Sequence, residues 1–135
     1  VYVKDISLET PGLPEAFQKE WAPEVFIDLH VSDNKLEENF YEVILSLTIT
    51  AKEKDKIIFL VEVEQAGIFH VMGFEEATLH HILGAYCPSV LFPFAREMVS
   101  NLVSHAGLPQ IMLTPVNFDA LYREQLAKSE EEAKS

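Results

Sequence analysis

The chain has 135 residues, 48% of them hydrophobic and 24% charged, which suits one globular domain with a real core and argues against disorder. Ten Lys and Arg face 22 Asp and Glu, and the net charge of -12 repels phosphate backbones and anionic lipid, so neither nucleic acid nor direct membrane insertion is expected. The single cysteine, Cys87, cannot close an internal disulfide, which suits a reducing compartment.

The opening Val-Tyr-Val-Lys-Asp is not a basic stretch followed by an apolar one, so no signal peptide is read. With no initiator Met, the sequence is expected to start inside a longer chain. No run of about 18 uninterrupted apolar residues exists, because Pro88 and Pro93 break the nearest candidate, Gly84 to Ala95. A cytoplasmic location is the expectation.

The first half alternates with period two, the pattern of strands with one buried and one polar face. In the first run Tyr2, Ile6 and Leu8 are assigned to one side and Asp5, Ser7 and Glu9 to the other. Residues Thr10 to Pro23 follow as a long connection with three prolines and two aromatics, Phe17 and Trp21. A connection of that length is either functional or a crossover packed on its own aromatics. In Glu24 to Val31, Val25, Ile27, Leu29 and Val31 face one way, with Phe26 an exposed exception on the other. The polar Ser32-Asp33-Asn34 is expected to turn the chain into a third strand, Tyr41 to Ile49, whose odd positions are apolar. Lys52 to Lys56 forms the next turn. In the fourth strand, Ile57 to Gln65, Phe59, Val61 and Val63 oppose Leu60, Glu62 and Glu64, and a continuation past Gly67, a candidate bulge, through Ile68, Phe69 and Val71 fits the pattern.

After Gly73 the period changes to 3.6. Glu75 and Glu76 suit a first helical turn, and Leu79, Ile82, Leu83 and Tyr86 form a stripe that Pro88 is expected to interrupt. A second helix carries Leu91, Phe94, Ala95, Met98 and Leu102 and ends at Gly107. A third is expected near Asn117, its N-cap, with Val116 and Leu121 at staple spacing. One domain is assigned to residues 1–127, and 128–135 to a charged, frayed or disordered tail. Strands followed by helices make the class α+β.

Catalytic machinery is not found. His70, His80, His81 and Cys87 fall within one stretch, but adjacent histidines lie about 100° apart around a helix, and no Cys-x-x-Cys or His-Glu-x-x-His spacing is present. Cys87 between Tyr86 and Pro88 reads as a buried, inert thiol rather than a nucleophile. Gly67 and Gly73 have phosphate-loop spacing, yet Phe74 and Glu75 stand where Lys and Ser or Thr are needed. No enzyme activity, cofactor or metal is expected. What remains is Ile82 to Ala95, apolar all the way round. One sheet covers only one side of such a helix, so a second subunit is favoured on the other.

Six stretches are similar to the SecB family of export chaperones: Tyr-x-Lys-Asp-Ile-Ser at 2–7, Phe-Gln-Lys-Glu-Trp-x-Pro-Glu-Val at 17–25, Gly-Ile-Phe at 67–69, Leu-Gly-Ala-Tyr-Cys-Pro at 83–88, Leu-Phe-Pro-x-Ala-Arg-Glu at 91–97, and Pro-x-x-x-Leu-x-Pro-Val-Asn-Phe-Asp-Ala-Leu at 109–121. They run in family order from residue 2 to about 126, without the family's leader before the first strand. The resemblance implies a four-stranded antiparallel sheet with helices on one face, assembled as a dimer of dimers. It implies a homotetrameric chaperone that binds unfolded preproteins in apolar grooves without ATP and delivers them to the translocation ATPase SecA. Asp5, Glu9, Leu60 and Glu62 match the family's SecA-docking positions, and the zinc of that partnership belongs to SecA's C-terminal segment. Phe17, Trp21, Phe69 and Tyr86 are the aromatic candidates for the polypeptide groove, because aromatics offer large apolar area at modest entropic cost. A small-ligand-binding α+β protein and a purely structural oligomer are the alternative readings.

Overall fold

The four alternating runs become β1 (Tyr2–Glu9), β2 (Glu24–Glu37), β3 (Phe40–Glu53) and β4 (Lys56–His70), antiparallel throughout and ordered β1-β4-β3-β2. The structure, a computed structural model, describes residues 1–18, 22–111 and 113–134. Helices follow the strands: α1 (Glu76–His81), a π-helical turn (Ile82–Tyr86), α2 (Cys87–His105) and α3 (Phe118–Lys134). The class is α+β.

The core lies between the central strands and α2. Val43, Leu45, Leu47 and Ile49 of β3 and Phe59, Val61 and Val63 of β4 are buried, and they meet Leu91, Ala95, Val99 and Val103, one α2 residue per turn. Fully burying each large aliphatic side chain is worth about 1.5–3 kcal/mol. A helix is about 10 Å wide and strands lie about 5 Å apart, so α2 covers two strands and little more. Edge strand β2 shows the consequence: Val25 and Ile27, assigned by alternation to the buried face, are 38% and 50% exposed. At Gly67 a Cβ would lie 3.0 Å from the Phe69 ring and 3.1 Å from Leu91. Glycine there lets α2 approach the sheet.

Several local expectations need correction. Ser32-Asp33-Asn34 is not a turn but part of β2, paired with Ile44, Val43 and Glu42; on an edge strand polarity marks solvent rather than chain reversal. The reversal comes at Glu38-Asn39, where Asn39 takes a φ of 68°, and the second hairpin turns at Lys54 with φ 57°. Gly67 pairs with Val43 without any register shift, so the bulge expected there is absent. The irregularities fall instead at Lys4, between Val3 and Asp5, at Leu36, between Lys35 and Glu37, and at Ile58, between Ile57 and Phe59. The Lys4 bulge places Tyr2 on the same face as Asp5, opposite to simple alternation. At the Ile58 bulge, the Gly12 N–H donates to the Ile58 carbonyl at 3.1 Å, which ties the connection between β1 and β2 to the start of β4.

Pro88 does not interrupt the helix. The Cys87 N–H reaches back five residues to the Ile82 carbonyl, and this widened turn absorbs a proline that has no N–H to give and would crowd the carbonyl four residues earlier. Helix α2 ends as expected at Gly107 (φ 76°): its N–H donates to Ser104, and that of Leu108 to Val103. Asn117 caps α3 by accepting the Ala120 N–H on Oδ1 at 3.1 Å. The helix runs on to Lys134 through a stretch rich in Ala, Glu and Lys, all strong helix formers.

Candidate docking face and polypeptide groove

Because Phe59, Val61 and Val63 turn toward α2, Leu60, Glu62 and Glu64 are turned to the opposite face of the sheet. Cross-strand pairing sets three rows across all four strands there. His30, Ser46, Glu64 and Asp5 form one, Asp28, Thr48, Glu62 and Ser7 the next, and Phe26, Thr50, Leu60 and Glu9 the third. The four positions matched to SecA docking therefore share one surface. Glu9 is directly opposite Leu60, while Asp5 is directly opposite Glu64. Like charges in that register repel. Among the described residues no salt bridge reaches Asp5, Glu9, Glu62 or Glu64, so the field stays open to solvent. A shallow depression of about 170 Å³ lies between Asp5, Ser46, Thr48, Glu62 and Glu64.

The same face is closed at one end. Lys4 Nζ lies 2.9 Å from Glu42, Asn34 Nδ2 donates to it at 3.4 Å, and the Tyr2 hydroxyl donates to its other oxygen. Hydrogen bonds from Tyr2 and Lys4 hold the Glu42 carboxyl below its ordinary value, and the same contacts raise Tyr2 and Lys4. Sequence reading missed this clamp because it depends on the bulge at Lys4.

On the helix side the apolar surface is incompletely covered. A slot of about 250 Å³ opens between Ile27, Leu29 and Val31 of β2 and Phe118, Leu121 and Tyr122 of α3. Tyr122 lies so close that a Cβ on Gly84 would be 2.7 Å from its ring, and His81 Nε2 meets Asp119 at 2.7 Å. The predicted aromatics are dispersed. Phe17 is half exposed beside Gly107, Tyr86 is 63% exposed on the π turn, and Phe69 packs on the core beside Gly67. The connection that carries Phe17 is tied to β4 at Ile58, and Ile58 and Phe69 stand roughly 36 Å apart along that strand at ~3.3 Å per residue, so they do not form one pocket. Trp21 lies outside the described residues. The slot-lining residues were legible as apolar but had been assigned to a buried face, since alternation does not reveal how far a helix reaches.

The groups considered for chemistry are engaged elsewhere. The Cys87 thiol is fully buried, and burial pushes its pKa up to about 12, so it stays protonated. His70 stacks on Phe40 at 4.5 Å, His80 lies 3.7 Å from Glu76, and His81 holds Asp119.

Residues 1–129 match the family described as preprotein translocase subunit SecB. The chain belongs to the SecB family. It is 49% identical over 133 residues to the protein-export protein SecB of Marinobacter nauticus, spanning 98% of this chain and 81% of that one. To the SecB of Alkalilimnicola ehrlichii it is 50% identical over 135 residues, spanning 100% and 72%. Among solved structures it is similar to the Mycobacterium tuberculosis SecB-like chaperone Rv1957, in complex with a ChAD peptide from the Rv1956 HigA1 antitoxin. The TM-score is 0.71 at 15% identity, covering 85% of this chain and 86% of that one, so the fold is shared. Membership of SecB makes the chain a protein-export chaperone. Among the described residues no helix is long and apolar enough to cross a membrane.

Proposed function

We propose that the chain is one subunit of a cytoplasmic SecB homotetramer, a dimer of dimers, that holds unfolded preproteins without ATP, cofactor or covalent chemistry and passes them to SecA. The observation that carries this is the unlike character of the two sheet faces: one presents Leu60 among unpaired carboxylates, the other leaves β2 and α2 apolar surface uncovered. Asp5, Glu9, Leu60 and Glu62 form the SecA-docking face, Leu60 as an apolar anchor and the acids as partners for basic groups on SecA's zinc-bearing C-terminal segment. Unfolded chains occupy the helix side, where Phe17, Phe69 and Tyr86 meet separate parts of one long client, and Trp21 is proposed as a further aromatic contact. The exposed Phe94 of α2 faces a second copy.

The test is a triple variant, Asp5→Lys, Glu9→Gln and Glu62→Lys, titrated with purified SecA and with an unfolded preprotein. SecA affinity should fall at least tenfold at low salt, while tetramer mass and client affinity hold. Unchanged SecA affinity at low salt refutes the docking assignment, and loss of client binding refutes the division between faces.

A further inference from the structure

The sheet register adds a residue to the docking face. Phe26 pairs with Thr50, Thr50 with Leu60, and Leu60 with Glu9, so all four side chains point to the same side in one line. Phe26 and Leu60 are the two apolar groups of that line, separated by one strand and hence about 10 Å apart. Phe26 is 51% exposed, a large aromatic on a face whose next row is Asp28, Thr48, Glu62 and Ser7. Lys52 Nζ sits 5.6 Å from the centroid of its ring, a cation over its face, and Lys52 is the cross-strand neighbour of Glu24 in the next row. A half-exposed aromatic in the same line as Leu60 gives the acidic face a second apolar group.

We propose that Phe26 is a second apolar anchor of the docking face, and that the docked segment crosses the strands along the row from Glu9 to Phe26. This rests on the docking assignment made above. The occupant is a basic segment with two apolar side chains about 10 Å apart, one over Leu60 and one over Phe26, and with cations beside them over Glu9, Glu62 and Asp28. Charge complementarity selects such a segment over an acidic one, and the two anchors select it over a purely polar basic tail. Lys52 limits the site, since the next row, Glu24, Lys52 and Ile57, brings a cation to that end of the face.

The experiment measures SecA affinity of the intact protein, by calorimetry at low and high salt, for Phe26→Ala, Phe26→Leu, Leu60→Ala and the double alanine variant. Phe26→Ala should weaken binding roughly five- to tenfold, by the same factor at both salt concentrations, because the lost contact is apolar. Phe26→Leu should restore most of it. If Leu60→Ala weakens binding and Phe26→Ala does not, the docking face stands and Phe26 is struck from it. If neither does, the docking assignment itself falls. A Phe26→Ala protein that loses tetramer mass, or loses affinity for unfolded client to the same degree, shows that the ring serves a second copy or the client, and overturns the proposal.

Discussion

Leu91 and Phe94 lie three residues apart on α2, one fully buried and the other 46% exposed, so truncating them should separate folding from assembly. Leu91 touches the inner face of β4 near Gly67, where the packing is tight enough that a single added Cβ would crowd it. Replacing it with Ala removes buried methyls from a site that collapses poorly, which costs about 3–4 kcal/mol. That lowers the thermal midpoint of a chain this size by roughly 10–20 °C. Phe94→Ala opens no cavity in the subunit. If its exposed part, about half of the roughly 200 Å² of a Phe, is covered by a second copy, each copy loses about 2 kcal/mol. Two copies meeting across a twofold axis then lose about 4 kcal/mol, near a thousandfold in the dissociation constant. Concentration-dependent sedimentation and thermal unfolding check both effects. The reasoning fails if Leu91→Ala leaves the midpoint unmoved, or if Phe94→Ala changes association by less than threefold.

The Glu42 clamp gives a pH dependence of known sign. A carboxyl held below its ordinary 4.5 contributes stability above that value and loses it as pH falls through the lowered one, so the thermal midpoint should drop below pH 4.5 more steeply than in Glu42→Gln. Equal slopes would contradict the clamp. With Cys87 pushed up to about 12, the native thiol should resist alkylating reagents at pH 8 and react only after denaturant is added; rapid labelling of folded protein counts against this. Gly67→Val adds bulk where Phe69 and Leu91 already stand at 3.0 and 3.1 Å, and should destabilise the subunit by about 1–3 kcal/mol in a chemical melt.

The strands were legible because every second residue from Val43 to Ile49 and from Phe59 to Val63 is apolar and buried, although Ile44 and Leu60 break the polar side of the alternation. What was not legible lay where two principles give the same residue pattern. Ser32-Asp33-Asn34 is polar for the reason an edge strand is polar, and turn residues share that composition. Pro88 breaks a helix unless the preceding turn widens, and whether it widens depends on tertiary packing around Leu83, Ala85 and Cys87, all buried. For the site, period two placed Asp5 and Glu9 together and Leu60 with Glu62, but only the register brought the two pairs into adjacent strands. The dispersal of Phe17, Phe69 and Tyr86 required the fold.

The docking face depends on register more than on any one acid. Along Leu60-Val61-Glu62-Val63-Glu64 consecutive residues alternate between solvent and core, so a slip of one residue in β1 would bring Ile6 and Leu8 outward and turn Asp5 and Glu9 into the core. β1 is a short edge strand paired on one side only within the subunit, and its own apolar contribution is modest, since Ile6 and Leu8 are only partly buried. The clamp supplies what the strand lacks. Tyr2 pairs with Ala66, whose small side chain leaves room for the phenol to pass above β4 and reach Glu42 on β3. Lys4, the bulged residue, reaches the same carboxylate. Both contacts require the extra residue in β1, because without it Tyr2 and Asp5 would face opposite sides. One buried carboxylate two strands away thus fixes the register that holds Asp5 and Glu9 beside Leu60 and Glu62.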